Sequence, residues 1–211
     1  SVEILFSKSP KSIAFLSPER NKSVSFFSMN MAYSFFKFGK KVLLVDFDLR
    51  NPTLHELFSL PHGKPGLLDF LSSGNSFEEV FHEVEPGFGV SASGTRLFPP
   101  GRFLKGKRLE EFFEKTFQKY DMVVFSSPPV VSEMDSIILS SYVDFIVLIT
   151  QLEKEKKDAF NTSLRKLSPY GKRLGIFLAG TSRRNSSSFL RIEDNKKGVS
   201  SEKKIGPVKL K

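Results

Sequence analysis

The sequence predicts an α/β fold: a doubly wound, mainly parallel sheet with helices on both faces. Three observations lead there. Short runs of consecutive aliphatic residues, such as 42–45, have the pattern of strands covered on both faces, which is how the strands of a parallel sheet are buried. Segments with apolar residues at helical spacing lie between these runs, so strands and helices alternate along the chain. The chain has 211 residues, 39% hydrophobic and 26% charged, enough for one domain with a substantial core.

The elements follow in order. Residues 12–16 form a short apolar run that stops at Ser17-Pro18, as a buried strand would. Residues 25–38 carry apolar side chains at 27, 31, 35 and 38 and are closed by Gly39, the pattern of a helix with a glycine C-cap. The strand at 42–45 completes a βαβ unit. Two short helical turns, 53–58 and 66–72, flank a loop at 61–65; a short helix is expected at 76–82 and a strand at 89–92. Residues 104–119 read as an amphipathic helix with Leu109, Phe112, Phe113 and Phe117 inward. A buried strand at 122–125 ends at Pro128-Pro129. It is followed by a helix at 132–141, a strand at 145–149, a helix at 153–167 and a last strand at 174–178. Residues 1–180 are expected to form the domain. After Gly180 the periodicity gives way to Ser, Lys, Arg and Asn, so 181–211 are expected to be a disordered basic tail.

Composition removes several classes of function. There is no cysteine, hence no disulfide, thiolate metal site or cysteine nucleophile. His55, His62 and His82 are scattered without ligand spacing. No apolar run approaches the ~20 residues of a membrane-spanning helix, and the first residues lack a signal-peptide pattern. The net charge is +9, and from 181 onward nine basic residues face three acids, so six of those nine charges belong to the last 31 residues. Without interleaved aromatics to stack bases, that tail is not read as a nucleic-acid surface. Weak contact with an anionic membrane fits it better. The 23 phenylalanines are read as a compositional bias rather than a functional aromatic set.

The segment Val42-Leu43-Leu44-Val45-Asp46-Phe47-Asp48-Leu49-Arg50-Asn51-Pro52 delivers two acids and an arginine at the carboxyl end of a buried strand, where open α/β sheets bind ligands. Asp-x-Asp there suits a magnesium site or nucleophile activation, and equally a charged surface turn. Gly66-Leu67-Leu68-Asp69-Phe70-Leu71 with Gly74 follows, then Tyr120-Asp121-Met122-Val123-Val124-Phe125-Ser126-Ser127-Pro128-Pro129, Asp135, and finally 175–180. These segments, in this order, resemble the bacterial tyrosine kinases, cytoplasmic P-loop proteins that regulate capsule and exopolysaccharide export. Septum-site and plasmid-partition ATPases share the sheet, but the Asp-x-Asp-x-Arg-x-Pro form is that of the kinase branch. The resemblance implies a P-loop NTPase-like fold, ATP and Mg as cofactors, and catalysis by Asp46 and Asp48.

The phosphate loop departs from that pattern. The family has Pro-Gly-x-Gly-Lys-[Ser/Thr]-Thr, whose glycines let backbone amides cradle phosphates, whose lysine bridges phosphate oxygens and whose hydroxyl binds magnesium. Without gaps, Arg20, Asn21, Lys22, Ser23, Val24, Ser25 and Phe26 fall on those positions. Both glycines are then missing, Val24 stands for the lysine, and Ser25 remains as the magnesium hydroxyl. A second reading takes Asn21-Lys22-Ser23 as the Gly-Lys-Ser triplet, with two residues deleted from the loop and two inserted in the helix. It needs Asn21 to take the left-handed turn of a glycine. Ser126 replaces the acid of the second strand, Ala179 replaces an asparagine near the base, and no tyrosine follows Tyr170. The family's Glu-x-x-Arg-x-x-Arg helix would lie just before Ile4, ahead of the first residue.

Two functions follow from the resemblance. One is a non-catalytic cytoplasmic adaptor or regulator in capsular and exopolysaccharide synthesis and export, docking on a polysaccharide co-polymerase or export membrane protein, peripheral at the inner face of the plasma membrane, with no cofactor. The alternative is a divergent ATP-binding tyrosine kinase or ATPase, with Lys22, Ser23, Ser25 and Arg50 on the nucleotide, Asp46 and Asp48 catalytic, and Ser25, Asp46 and the Ser126 position at Mg. Oligomeric state is not legible.

Overall fold

A computed structural model describes residues 10–21, 23–61, 63–97, 99–151, 157–170, 173–179 and 190–193. The strands are β1 (Ser12–Leu16), β2 (Val42–Asp46), β3 (His82–Glu85), β4 (Phe88–Ser91), β5 (Met122–Ser126), β6 (Phe145–Gln151), β7 (Arg173–Ala179) and β8 (Leu190–Glu193). The helices are α1 (Ser23–Lys37), α2 (Leu54–Leu57), α3 (Leu67–Ser73), α4 (Lys107–Lys119), α5 (Met134–Tyr142) and α6 (Lys157–Leu167). One eight-stranded sheet runs β3-β4-β2-β5-β1-β6-β7-β8. The six strands from β4 to β7 are parallel, and β3 and β8 add antiparallel edges.

The apolar runs 42–45 of β2 and 122–125 of β5 lie inside the sheet because each of their faces is covered by a different layer of helices. On one side Ile13, Phe15, Val42, Leu44, Met122 and Val124 pack with Val24, Ala32 and Phe35 of α1 and Leu54 of α2. On the other, Ala14, Leu16, Leu43, Val45, Val123 and Phe125 pack with residues of α3, α4, α5 and α6. Many of the phenylalanines are core: Phe47, Phe70, Phe88, Phe112 and Phe125 are fully buried, and Phe113 stacks on Tyr142 at 4.2 Å and 7°.

The sequence reading needs correction in two places. The helix expected at 76–82 is a turn followed by β3. The Glu79 carboxylate accepts the Ser76 N–H, which imitates a helix cap, but the next residues leave the turn and pair with β4. The tail expected to be wholly disordered contains β8, paired antiparallel with β7; the rest of 181–211 lies outside the described residues. Smaller shifts occur at helix starts. The 104–119 helix begins at Lys107, after a 3-10 turn at Pro100–Phe103.

Candidate functional site

The carboxyl ends of β1, β2 and β5 meet on one edge of the sheet. Register places Asp46 opposite Ser126 and Ser126 beside Phe15, and the Phe47 N–H donates to the Ser126 carbonyl at 2.8 Å. The loop leaving β1 is laced to the loop leaving β5: Val130 N–H donates to Ser17 O at 2.9 Å and Val131 N–H to Pro18 O at 3.1 Å. Lys166 of α6 holds that second loop from behind, donating to Val131 O at 2.9 Å.

Helix α1 starts where Asn21 caps it. The Asn21 side-chain oxygen accepts the Ser23 N–H at 2.9 Å, and its carbonyl accepts the Val24 N–H at 3.2 Å. Among the described residues Ser59 is the only non-glycine with positive φ, so Asn21 does not take the left-handed turn that the Gly-Lys-Ser reading asks of it. Val24 is buried in the core below α1. One helical residue further on, the Ser25 hydroxyl sits at the sheet edge, 2.6 Å from Thr53 Oγ1 and 3.1 Å from Ser126 Oγ. Three neutral hydroxyls thus meet where the family pattern has a hydroxyl and an acid. Lys22 lies outside the described residues, and no side-chain contact of Ser23 enters this cluster.

The two acids are both held, in different ways. Asp46 is fully buried. Its Oδ2 accepts the Thr53 and Leu54 N–H groups at 2.8 and 2.9 Å, and Oδ1 accepts the Asp48 N–H at 3.2 Å. Burial pushes its pKa up to about 7 against these bonds and with the Asp48 charge adding to the rise. Asp48 accepts the Asn51 N–H at 3.0 Å and pairs with Arg20 at 3.3 Å; burial raises its pKa, while Asn51 and Arg20 oppose the rise. With its amide oriented to satisfy its neighbours, Asn51 also accepts from Arg20 at 2.8 Å. Arg20 therefore ties the β1 loop across to the turn after β2.

Arg50, expected on a nucleotide, is instead held by two acids that follow β5. Its Nε lies 2.6 Å from Glu133 and 3.5 Å from Asp135, the acid that matches the family pattern. These are charge contacts off the N–H direction, leaving Arg50 Nε and Asp135 Oδ2 without a directed hydrogen bond. Burial raises the Asp135 pKa, and the Arg50 charge partly offsets this. The Gly66-Leu67-Leu68-Asp69 segment is a brace. Asp69 Oδ2 accepts the Gly66 and Thr95 N–H groups at 2.8 and 2.9 Å, and a Cβ at Gly66 would collide with the Ala92 carbonyl. Ala179 is buried at the end of β7.

The structure thus brings Ser25, Asp46, Asp48 and Ser126 together, while the Arg50 side chain next to them is paired with Glu133 and Asp135. The sequence reading missed Thr53, Arg20 and Glu133. Each acts across a distance in sequence that no local pattern marks; Arg20 had a hint only in being a cation beside the loop. Among the described residues no group of three or more His, Cys, Asp or Glu is placed to hold a metal ion. No described helix is long and apolar enough to cross a membrane.

Comparison with known proteins adds an independent line. A family model described as an AAA domain matches residues 23–160. The tyrosine-protein kinase YwqD of Bacillus subtilis (strain 168) is 32% identical over 182 residues, 84% of this chain and 76% of that protein. EpsB of Ralstonia solanacearum is 36% identical over 146 residues, which are 68% of this chain and 19% of EpsB, so the chain spans about a fifth of that relative's length. The solved kinase domain of the Escherichia coli tyrosine kinase ETK superposes with a TM-score of 0.79 at 22% identity, covering 89% of this chain and 74% of that one. At that identity it is a likeness of fold.

Proposed function

The chain belongs to the bacterial tyrosine-protein kinase family of P-loop proteins, and from that premise we propose that it is a non-catalytic member. In this reading it is a cytoplasmic adaptor or regulator of capsular or exopolysaccharide synthesis and export. The P-loop NTPase-like domain includes β8, and the basic sequence of 181–211 adds weak contact with an anionic membrane. Its partner is a polysaccharide co-polymerase or export membrane protein, and its place is the inner face of the plasma membrane.

The observation that carries this is the Ser25–Thr53–Ser126 hydroxyl cluster. Magnesium at a phosphoryl-transfer site is held by hard oxygens, carboxylates foremost, and by the nucleotide's own phosphates. The groups here fit that ion and ATP poorly. The hydroxyls bond to one another, Asp46 is filled by three backbone N–H groups, and Asp48 is paired with Arg20. A phosphate nest needs backbone turns of alternating hand, and no described residue of 17–25 has positive φ. Phosphoryl transfer rests on positioning and charge stabilisation, so removing these parts removes most of the catalysis.

The retained pair Asp46 and Asp48 supports the second reading, a divergent ATP-dependent tyrosine kinase or ATPase using Lys22 and Ser23. Thermal unfolding with and without ATP and magnesium separates the two. A ligand at 100 times its Kd adds about 2.7 kcal/mol to stability. The adaptor reading expects no shift at millimolar ATP. A large shift, lost in Lys22→Ala, would replace it with the kinase reading.

A further inference from the structure

The outer face of α1 carries almost no charge. Lys37 is the one charged residue among its fifteen, and it is paired with Glu85 at 3.6 Å; α4, by contrast, carries seven charges in thirteen residues. Of the seven large hydrophobic side chains that are strongly exposed among the described residues, Phe26, Met31, Tyr33 and Phe38 belong to α1 or to the turn that ends it. Phe38 is 80% exposed, and its N–H still donates to the Ser34 carbonyl at 3.0 Å, which continues the helical face by one residue. The exposed polar side chains between the rings are satisfied on the helix itself. Asn30 donates to the Phe26 carbonyl at 2.8 Å and Ser34 to the Asn30 carbonyl at 2.7 Å. Two of the rings are held by neighbours, Phe26 edge-on to Phe27 and Tyr33 edge-on to Phe88.

The two halves of this face are alike. About the level of Ala32, Phe26 lies as far toward one end as Phe38 toward the other, Asn30 as far as Ser34, and Met31 as far as Tyr33. Each pair matches in kind: ring with ring, small polar with small polar, large apolar with large apolar. A face of that pattern complements its own reverse, as a two-fold contact requires when residue i meets j and j meets i. Because the face is uncharged, apposing two identical copies brings no like charges together. Taking roughly 200 Å² per aromatic residue, the exposed parts of Phe26, Tyr33 and Phe38 leave about 350 Å² of apolar surface per chain. Two copies, with Asn30, Met31 and Ser34 between the rings, reach about the 1,000 Å² of total burial that a specific contact needs.

We infer that two copies of this chain pair antiparallel through α1, with Phe26 of each opposite Phe38 of the other and Asn30 opposite Ser34. A lipid surface fits this face less well. Helices that lie on membranes flank their apolar side with several Lys and Arg, and α1 has only Lys37, which Glu85 holds. The inference stands whether or not the site binds nucleotide.

Sedimentation equilibrium of the full chain at physiological salt is the test. The parent should show a monomer–dimer equilibrium with a Kd of the order of 10 μM, in keeping with a contact of this size. Phe38→Glu alters a ring that lies outside the core, so the variant should melt as the parent does. Because it acts in both halves of the pair, it should weaken dimerisation at least about tenfold. Asn30→Glu with Ser34→Glu sets like charges opposite each other and should weaken it as much. Asn30→Glu with Ser34→Lys sets opposite charges there and should leave the Kd within about threefold of the parent's. A parent that stays monomeric at about 0.5 mM would overturn the inference. So would equal weakening by the two double variants, which would exclude the antiparallel register. A monomeric parent that pellets with phosphatidylglycerol vesicles, and no longer does so as Phe38→Glu, would overturn it too and give the face to lipid.

Discussion

Replacing Asp46 with asparagine makes the buried carboxylate measurable. Asp46 is fully buried, and burial raises its pKa from 3.8 to about 7. The folded state therefore binds a proton that the unfolded chain has released, and stability from this group is fully present below pH 3.8 and lost as pH rises through about 7. Three pKa units at 1.36 kcal/mol each amount to about 4 kcal/mol, of which about 3 falls between pH 5 and 8. The amide in Asp46→Asn keeps an oxygen acceptor for the Thr53 and Leu54 N–H groups, but its NH2 cannot accept from the Asp48 N–H as the hydroxyl oxygen of the neutral acid can, so one weak hydrogen bond is lost. Near pH 5 the two proteins should thus differ by only about 1 kcal/mol. By pH 8 the balance should have moved about 3 kcal/mol toward asparagine. Urea unfolding at half-unit pH steps reads this directly. A stability difference that stays constant from pH 5 to 8, or that moves toward aspartate, would refute the reasoning.

Other substitutions probe the frame around the site. Phe113→Ala removes a buried ring stacked on Tyr142 and should cost about 3–5 kcal/mol in urea unfolding. Gly94 has φ +83° and an added Cβ would collide with the Asp69 carboxylate, so Gly94→Ala should lose about 2 kcal/mol or more and lower Tm, while Ser93→Ala on the same loop should not. Arg20→Ala breaks a half-exposed ion pair with Asp48 and should change stability by less than about 1 kcal/mol, the small effect expected of a solvent-screened pair.

Much of the fold is legible because buried parallel strands cannot hide. The aliphatic runs of β2 and β5 and the Phe112–Phe113 face of α4 are visible as patterns, and each is found where its pattern puts it. β3 is not legible, because an edge strand with both its central side chains exposed carries His-Glu-Val-Glu rather than alternating apolar residues. β8 is hidden by a basic composition that outweighs four residues of strand character. At the site, the alignment that pairs Ser25 with a metal hydroxyl and Ser126 with the missing acid anticipates their 3.1 Å approach. It cannot reveal Thr53 as their third partner, nor that Asp46 caps α2, since both depend on how the turn after β2 folds back. Arg50 shows the opposite limit: a charge in the expected motif position is claimed by Glu133 and Asp135, 83 and 85 residues away.

The central claim is that this kinase fold has a site that no longer takes nucleotide, and equilibrium binding of a fluorescent ATP analogue with magnesium tests it most directly. The account predicts no saturable binding up to millimolar analogue, with the same flat response from Asp46→Asn and Lys22→Ala. Saturable binding by the unaltered chain that is abolished by either substitution would contradict it.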